Sequence, residues 1–199
     1  MQLIFIRHGE TLWNKEGRVQ GITDVELSDE GIKQAQLLAL SLKNHNIEAI
    51  LVSPLKRAIQ TARIINEFHN LDIQTQCELI ELDAGDFEGL SFRELMNDQK
   101  EFLKKWITNP ASVKMPNGES LIEVQNRAWC AVEKIIGGGK NTLIVSHNFT
   151  IAAILCRLRE ISLDEFRRSC VDTASKTIVR LENNKTIIDP FNDRSHLFP

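Results

Sequence analysis

The stretch Leu3-Ile4-Phe5-Ile6-Arg7-His8-Gly9-Glu10-Thr11 decides the fold. Its short apolar run reads as a buried strand. The run stops at an Arg-His pair followed by glycine, which lets a backbone come close to a ligand. In open α/β sheets, ligands bind outside the carboxyl ends of the strands. The chain therefore delivers a cation and an imidazole to that place. The pattern recurs at Thr142-Leu143-Ile144-Val145, which ends at Ser146-His147-Asn148. Two strand-end histidines, one beside an arginine, point to a site for an anion and a nucleophile.

Working outward, strands and helices alternate. Ser28 is a good N-cap, and Leu37, Leu38 and Leu42 give helical spacing to about Asn44. Ala49-Ile50-Leu51-Val52 reads as a second buried strand. Ser53-Pro54 sets an N-cap and a proline at the first helical position, so a helix is predicted to start there, with Arg57 in its first turn. Ile73 to Cys77 reads as a short edge strand. Ser91-Phe92-Arg93-Glu94 and Ser120-Leu121-Ile122-Glu123 are capping boxes. The second opens a helix to about Ile136, which Gly137-Gly138-Gly139 ends. A helix over 148–158 and a hairpin around Asn183-Asn184 follow. This order predicts an α/β fold: a three-layer α/β/α sandwich with a mostly parallel central sheet. Residues from about 91 to 118 break the rhythm and carry Lys100, Lys104, Lys105, Lys114 and Trp106. They read as a short cap over the C-terminal strand ends. With no internal repeat or linker, residues 1–199 are expected to form a single domain.

Apolar content of 42% and charged content of 26% are those of an ordinary globular chain. A net charge of −3 gives no electrostatic support to nucleic-acid binding. The N-terminal apolar run is too short for a signal h-region or a membrane span, and nothing later approaches one. Cys77, Cys130, Cys156 and Cys170 are scattered without metal-binding spacing and read as reduced, mostly buried thiols. These features predict a cytoplasmic protein with neither membrane nor nucleic acid as partner.

The chemistry follows from charge. A phosphomonoester carries about two negative charges near neutral pH. Arginine's planar fork binds its oxygens in bidentate fashion. Arg7 and Arg57 are the candidates, with Asn14 either an extra donor or a loop cap. Gly21 and Thr23, on the following loop, are candidate substrate contacts. A neutral imidazole nitrogen can attack phosphorus and split one displacement into two easier ones. Flanking arginines disfavour protonation of His8, and a hydrogen bond at its other nitrogen would fix the tautomer. Three other readings of the histidine pair stay open: structural residues, metal ligands, or the same reaction with the two roles exchanged. No metal is predicted, because no local ligand spacing exists. His45, His69 and His196 lack any such context and read as surface residues. Loss of an alkoxide needs an acid, and Glu78, Glu81, Asp83, Asp86 and Glu88 offer five.

The ordered set of motifs resembles the histidine phosphatase (phosphoglycerate mutase-like) superfamily. Arg7-His8-Gly9-Glu10-Thr11 with Asn14 looks like its signature, and Gly17-Arg18-Val19-Gln20-Gly21 continues it. Ser53-Pro54-Leu55-Lys56-Arg57-Ala58 is similar to its second arginine motif. Leu79-Ile80-Glu81 with Gly85 and Glu88-Gly89 resembles its acid segment, and Gly118-Glu119-Ser120 and Val145-Ser146-His147 complete the set. The resemblance implies His8 as nucleophile, Arg7 and Arg57 as phosphate ligands, His147 as donor to a non-bridging oxygen, and Glu81 as the acid. For that role the surroundings of Glu81 must raise its pKa. Glu10 would brace the loop and Thr11 position the backbone.

Where the family often has glycine after the second histidine, this chain has Asn148, a candidate substrate contact whose N–H can face phosphate from a helix N-terminus. The segment between Gly89 and Gly118 is short for a cofactor-dependent mutase. The ending Asn192-Asp193 to His196-Leu197 is similar to tails of small phosphatases, the α-ribazole phosphate type among them. The expectation is a phosphomonoesterase for a small phosphorylated metabolite, without cofactor, working through a phosphohistidine. A phosphoglycerate mutase and a non-catalytic phospho-ligand binder are the alternatives.

Overall fold

The computed structural model describes residues 1–183 and 185–198. In chain order its elements are β1 (Gln2–Arg7), α1 (Leu12–Lys15), α2 (Asp29–Leu42), β2 (Ala49–Val52), α3 (Lys56–Asn66) and β3 (Ile73–Thr75). There follow α4 (Phe92–Asp98), α5 (Lys100–Thr108), α6 (Leu121–Gly138), β4 (Thr142–Ser146), α7 (Asn148–Leu158), β5 (Lys176–Glu182) and β6 (Lys185–Ile188). The strands form one sheet in the order β3-β2-β4-β1-β5-β6. β1, β2, β3 and β4 are parallel, while β5 and β6 run antiparallel at one end.

The strand residues explain the layers. Side chains alternate across a sheet. In β1, Ile4 and Ile6 pack with Leu38 and Ala62 of α2 and α3. Leu3 and Phe5 face the other way, against Ala128, Val132 and Ile151 of α6 and α7. β1 and β4 are central, buried on both faces, and therefore continuously apolar. Their register pairs Arg7 with Ser146, so His8 and His147 leave adjacent parallel strands at the same level.

The cap is present as α4 and α5 with the chain to Met115. Its apolar side packs with Leu82, Phe87 and Phe166 in a third cluster. Ser91 and Ser120 make the capping boxes read from the sequence. Several expectations are corrected. α3 starts at Lys56 with Leu55 as an uncapped N-cap, because the Ser53 hydroxyl is used elsewhere. β3 ends at Thr75, and Cys77 opens a 3₁₀ turn. Cys77 and Cys130 are exposed, Cys156 is buried and Cys170 lies between; all four are free. His45, His69 and His196 are partly buried, His196 because the turn Ser195–Leu197 packs on α2. The hairpin joins β5 to β6 with Asn183 at positive φ; Asn184 lies outside the described residues.

Candidate active site

His8 leaves the end of β1 and is 3% exposed. Its Nδ1 lies 2.7 Å from the Gly9 carbonyl, an acceptor, so Nδ1 carries the proton and Nε2 keeps a free lone pair. The Gly9 N–H donates to Thr61 Oγ1 at 3.1 Å. A Cβ on Gly9 would meet the Gly31 carbonyl oxygen at 2.4 Å. The close approach that glycine permits is therefore to the start of α2, not to a ligand.

His147 leaves β4 as the N-cap of α7, fully buried, with its ring 5.1 Å from that of His8. Its Nε2 lies 2.7 Å from Ser53 Oγ. Ser53 Oγ accepts from the Leu55 N–H at 3.4 Å. The Ser53 hydroxyl is free to donate to His147 Nε2, and in that tautomer the imidazole proton sits on Nδ1. Burial first, and then the Arg57 charge, hold both histidines well below the ordinary range, so both are neutral at pH 7.

Arg57 is fully buried and donates to the carbonyls of Thr23 at 2.9 Å and Gly21 at 2.7 Å. Burial lowers its pKa to about 10, which leaves it a cation. Gly21 and Thr23 thus come to the site, but the contacts they make are with Arg57 and Glu88. The N–H groups of Ile22 and Thr23 donate to Glu88, as does the Thr23 hydroxyl. A Cβ on Gly21 would sit 2.1 Å from Glu88 Oε1. Arg7 donates from one terminal nitrogen to the Val171 carbonyl at 2.7 Å. The Nε atoms of Arg7 and Arg57 and the Nδ1 of His147 are buried without a protein partner.

Glu81 is 4% exposed. Its Oε1 accepts from Leu82 N–H at 2.8 Å and Thr150 N–H at 3.2 Å, and its Oε2 from Phe149 N–H at 3.2 Å. It is held by the first turn of α7, and Oε2 keeps a lone pair for a further partner. The rest of the acidic cluster faces elsewhere. Asp83 closes a turn on Gly85, Asp86 accepts from Asn117, Glu78 faces Lys134, and Glu88 holds the Arg57 loop.

Asn14 serves as a cap. Its Oδ1 accepts from the Thr11 N–H at 3.1 Å, and its N–H donates to Thr11 Oγ1 at 3.2 Å. The residue also lines the cavity beside the site. Glu10 braces the loop by accepting from the Ser28 hydroxyl at 3.0 Å. Asn148 accepts the Val171 N–H on Oδ1 at 2.9 Å and turns its amide to Cys170 Sγ at 3.7 Å. Its side chain therefore clamps Val171, the residue whose carbonyl accepts from Arg7.

Sequence reasoning missed four residues. Ser53 was read as a cap. Thr150 donates its hydroxyl to the Ile80 carbonyl at 2.6 Å. Arg127 binds the carbonyls of Glu78, Ile80 and Glu81 and the carboxylate of Glu119, fixing the Glu81 segment. The motif Gly118-Glu119-Ser120 was the visible half of that last brace. Gln20 lines the cavity with a buried, unpartnered amide nitrogen.

The buried Arg57, the half-buried Arg7, two neutral histidines and one carboxylate at the carboxyl ends of parallel strands define an anion-binding, acid–base site of the phosphoryl-transfer class. The chain belongs to the histidine phosphatase superfamily (branch 1), matched over residues 3–194. It is 35% identical to Phosphoserine phosphatase 1 of Hydrogenobacter thermophilus, over 99% of this chain and 94% of the relative. It is 30% identical to the Probable phosphoglycerate mutase GpmB of Yersinia pestis, over 99% of this chain and 95% of that one. Among solved structures, the α-ribazole phosphatase of Shigella flexneri superposes with a TM-score of 0.87 at 29% identity, covering 98% and 97% of the two chains.

Proposed function

We propose that this protein hydrolyses a small phosphomonoester through a phosphohistidine on His8. The observation that carries the reading is the set of buried, unpaired N–H groups around His8: Arg7 Nε, Arg57 Nε and His147 Nδ1. A buried donor without a partner costs about 1–3 kcal/mol. A phosphoryl group with charge on its three equatorial oxygens satisfies all three, and best in the transition state. The Gln20 and Asn14 amides are further donors at the rim.

In the first step the His8 Nε2 lone pair forms the N–P bond as the P–O bond to the alcohol breaks. Glu81 gives the leaving oxygen a proton. In the second step water attacks phosphorus, Glu81 takes the water's proton, and the N–P bond breaks to return neutral His8 and free phosphate. His147 Nδ1–H and the two arginines hold the non-bridging oxygens throughout. The arginines neutralise the phosphoryl charge, so no step requires a metal. Among the described residues, no three of His, Cys, Asp or Glu gather where they could hold one.

The mutase named among the relatives supplies a second reading. A bisphosphorylated intermediate needs a second cationic cluster. Apart from Arg7 and Glu81, the one charged side chain that lines the cavity among the described residues is Arg18, bonded to Glu16 at 2.6 Å and to the Gly89 carbonyl at 2.9 Å. That favours the phosphatase. Incubation with 3-phosphoglycerate and 2,3-bisphosphoglycerate separates the two: isomerised product with little free phosphate would support the mutase. No helix among the described residues is long and apolar enough to cross a membrane. The four free cysteines fit a reducing compartment, and we place the protein in the cytoplasm.

A further inference from the structure

A cavity of about 310 Å³ opens beside the phosphate site, with Arg7 and Glu81 in its lining. Glu81 serves the leaving oxygen in the proposed reaction, so this is where the alcohol part of the substrate lies. The walls come from the cap and from α7: Phe87, Phe92, Phe102, Leu103, Trp106 and Phe149 are prominent. The aromatic rings support one another. Phe102 packs edge-on to Phe87 at 4.7 Å between centroids, and Trp106 meets Phe149 at 5.8 Å and Phe166 at 5.4 Å.

The cap's cations lie elsewhere. Lys100 and Lys104 line an outer hollow with Met96 and Ile107. Lys105 and Lys114 line another, and Lys114 pairs with Glu123 at 2.6 Å. None of the four lines the cavity beside Glu81. Of the charged groups that do, Arg7 and Glu81 are committed to the reacting phosphate, and Arg18 already has a carboxylate and a carbonyl as partners. A zwitterionic leaving group such as serine would bring a carboxylate and an ammonium into this space, where the Gln20 amide nitrogen can face the carboxylate but the lining carboxylate, Glu81, is already committed and leaves the ammonium without a counter-charge. Burying charges without partners is costly. Apolar pockets about half this volume hold a benzene ring.

We infer that the substrate of this site is a phosphomonoester of an uncharged, apolar alcohol carrying a ring-sized group, and not a phosphorylated amino acid or sugar acid. The inference rests on the phosphatase reading above. The ring packs among Trp106, Phe102 and Phe149 while the ester oxygen faces Glu81.

The test compares primary-alcohol esters, so that leaving-group chemistry stays nearly constant: ethyl phosphate, phosphoserine and 3-phenylpropyl phosphate. Burial of a phenyl group should raise kcat/KM by about 10- to 100-fold over ethyl phosphate. Phosphoserine should fall at or below ethyl phosphate. Trp106→Ala should remove most of the phenylpropyl advantage, read as the ratio of kcat/KM for phenylpropyl phosphate to that for ethyl phosphate. Phe92 is 62% exposed, so Phe92→Arg should fold normally and also erode the advantage by adding a charge at the rim. Phosphoserine turned over as fast as the phenylpropyl ester would overturn the inference, as would an advantage insensitive to both substitutions. p-Nitrophenyl phosphate is the control: if it too resists hydrolysis, the phosphatase reading fails and the inference falls with it.

Discussion

His8 and His147 are buried and neutral, and that has a measurable thermodynamic consequence. Burial and the Arg57 charge lower both pKa values in the folded protein. In the unfolded chain each histidine titrates near 6.5. As pH falls below that value, the unfolded state takes up protons that the folded state refuses. Stability is therefore fully present above pH 6.5 and declines below it, until the folded values are reached. The limiting slope is about 1.4 kcal/mol per pH unit for each histidine. Between pH 7 and pH 5 this integrates to at most about 1.9 kcal/mol each, the limit set by the unfolded value alone. Urea unfolding in phosphate-free buffer at both pH values measures it. Carboxylates add their own pH dependence, so the informative quantity is the difference between wild type and His8→Gln. Wild type should lose more than the variant over this interval, by up to about 1.9 kcal/mol. Parallel losses would refute the claim that His8 is held neutral by its surroundings.

Three further outcomes follow from the contacts. Glu81→Gln should lower kcat for alkyl phosphates by ~10²–10⁴-fold, while single-turnover phosphorylation by p-nitrophenyl phosphate, whose leaving group needs little protonation, should lose much less; equal losses would move the acid elsewhere. Asn148→Gly removes the acceptor for the Val171 N–H and loosens the carbonyl that holds Arg7, so vanadate affinity should drop about tenfold, as for the loss of one hydrogen bond. An unchanged affinity in the glycine variant would show that Arg7 does not depend on this clamp. Turnover should survive EDTA, because Arg7 and Arg57 supply the positive charge; full loss with rescue by added metal would contradict that.

The layered fold was legible because its signal is local. The apolar runs at Leu3–Ile6 and Thr142–Val145 are strands buried on both faces, and the capping boxes at Ser91 and Ser120 form as read. The histidines and arginines were legible as residues at strand ends. What they touch was not, because it is set by pairing between distant segments. Ser53 looks like an N-cap until β2 lies beside β4 and its hydroxyl meets His147. Gly21 and Thr23 look like substrate contacts until Arg57 is seen to bind their carbonyls. Arg127 sits in an ordinary helix, 46 residues from the Glu81 carbonyl it holds. The N–H donors that hold Glu81 come from the start of α7, a segment far away in the sequence. The segment that carries the cap lysines was legible as a cap, but which way Lys100, Lys104, Lys105 and Lys114 face was not, and they line outer hollows.

The central claim is that His8 Nε2 is the nucleophile. Rapid mixing with ³²P-labelled phosphomonoester, an alkaline quench and peptide mapping test it, since phosphohistidine survives base and not acid. The account predicts label on His8, absent in His8→Ala and retained on His8 in His147→Ala. Label on His147, or label that persists in His8→Ala, would contradict it.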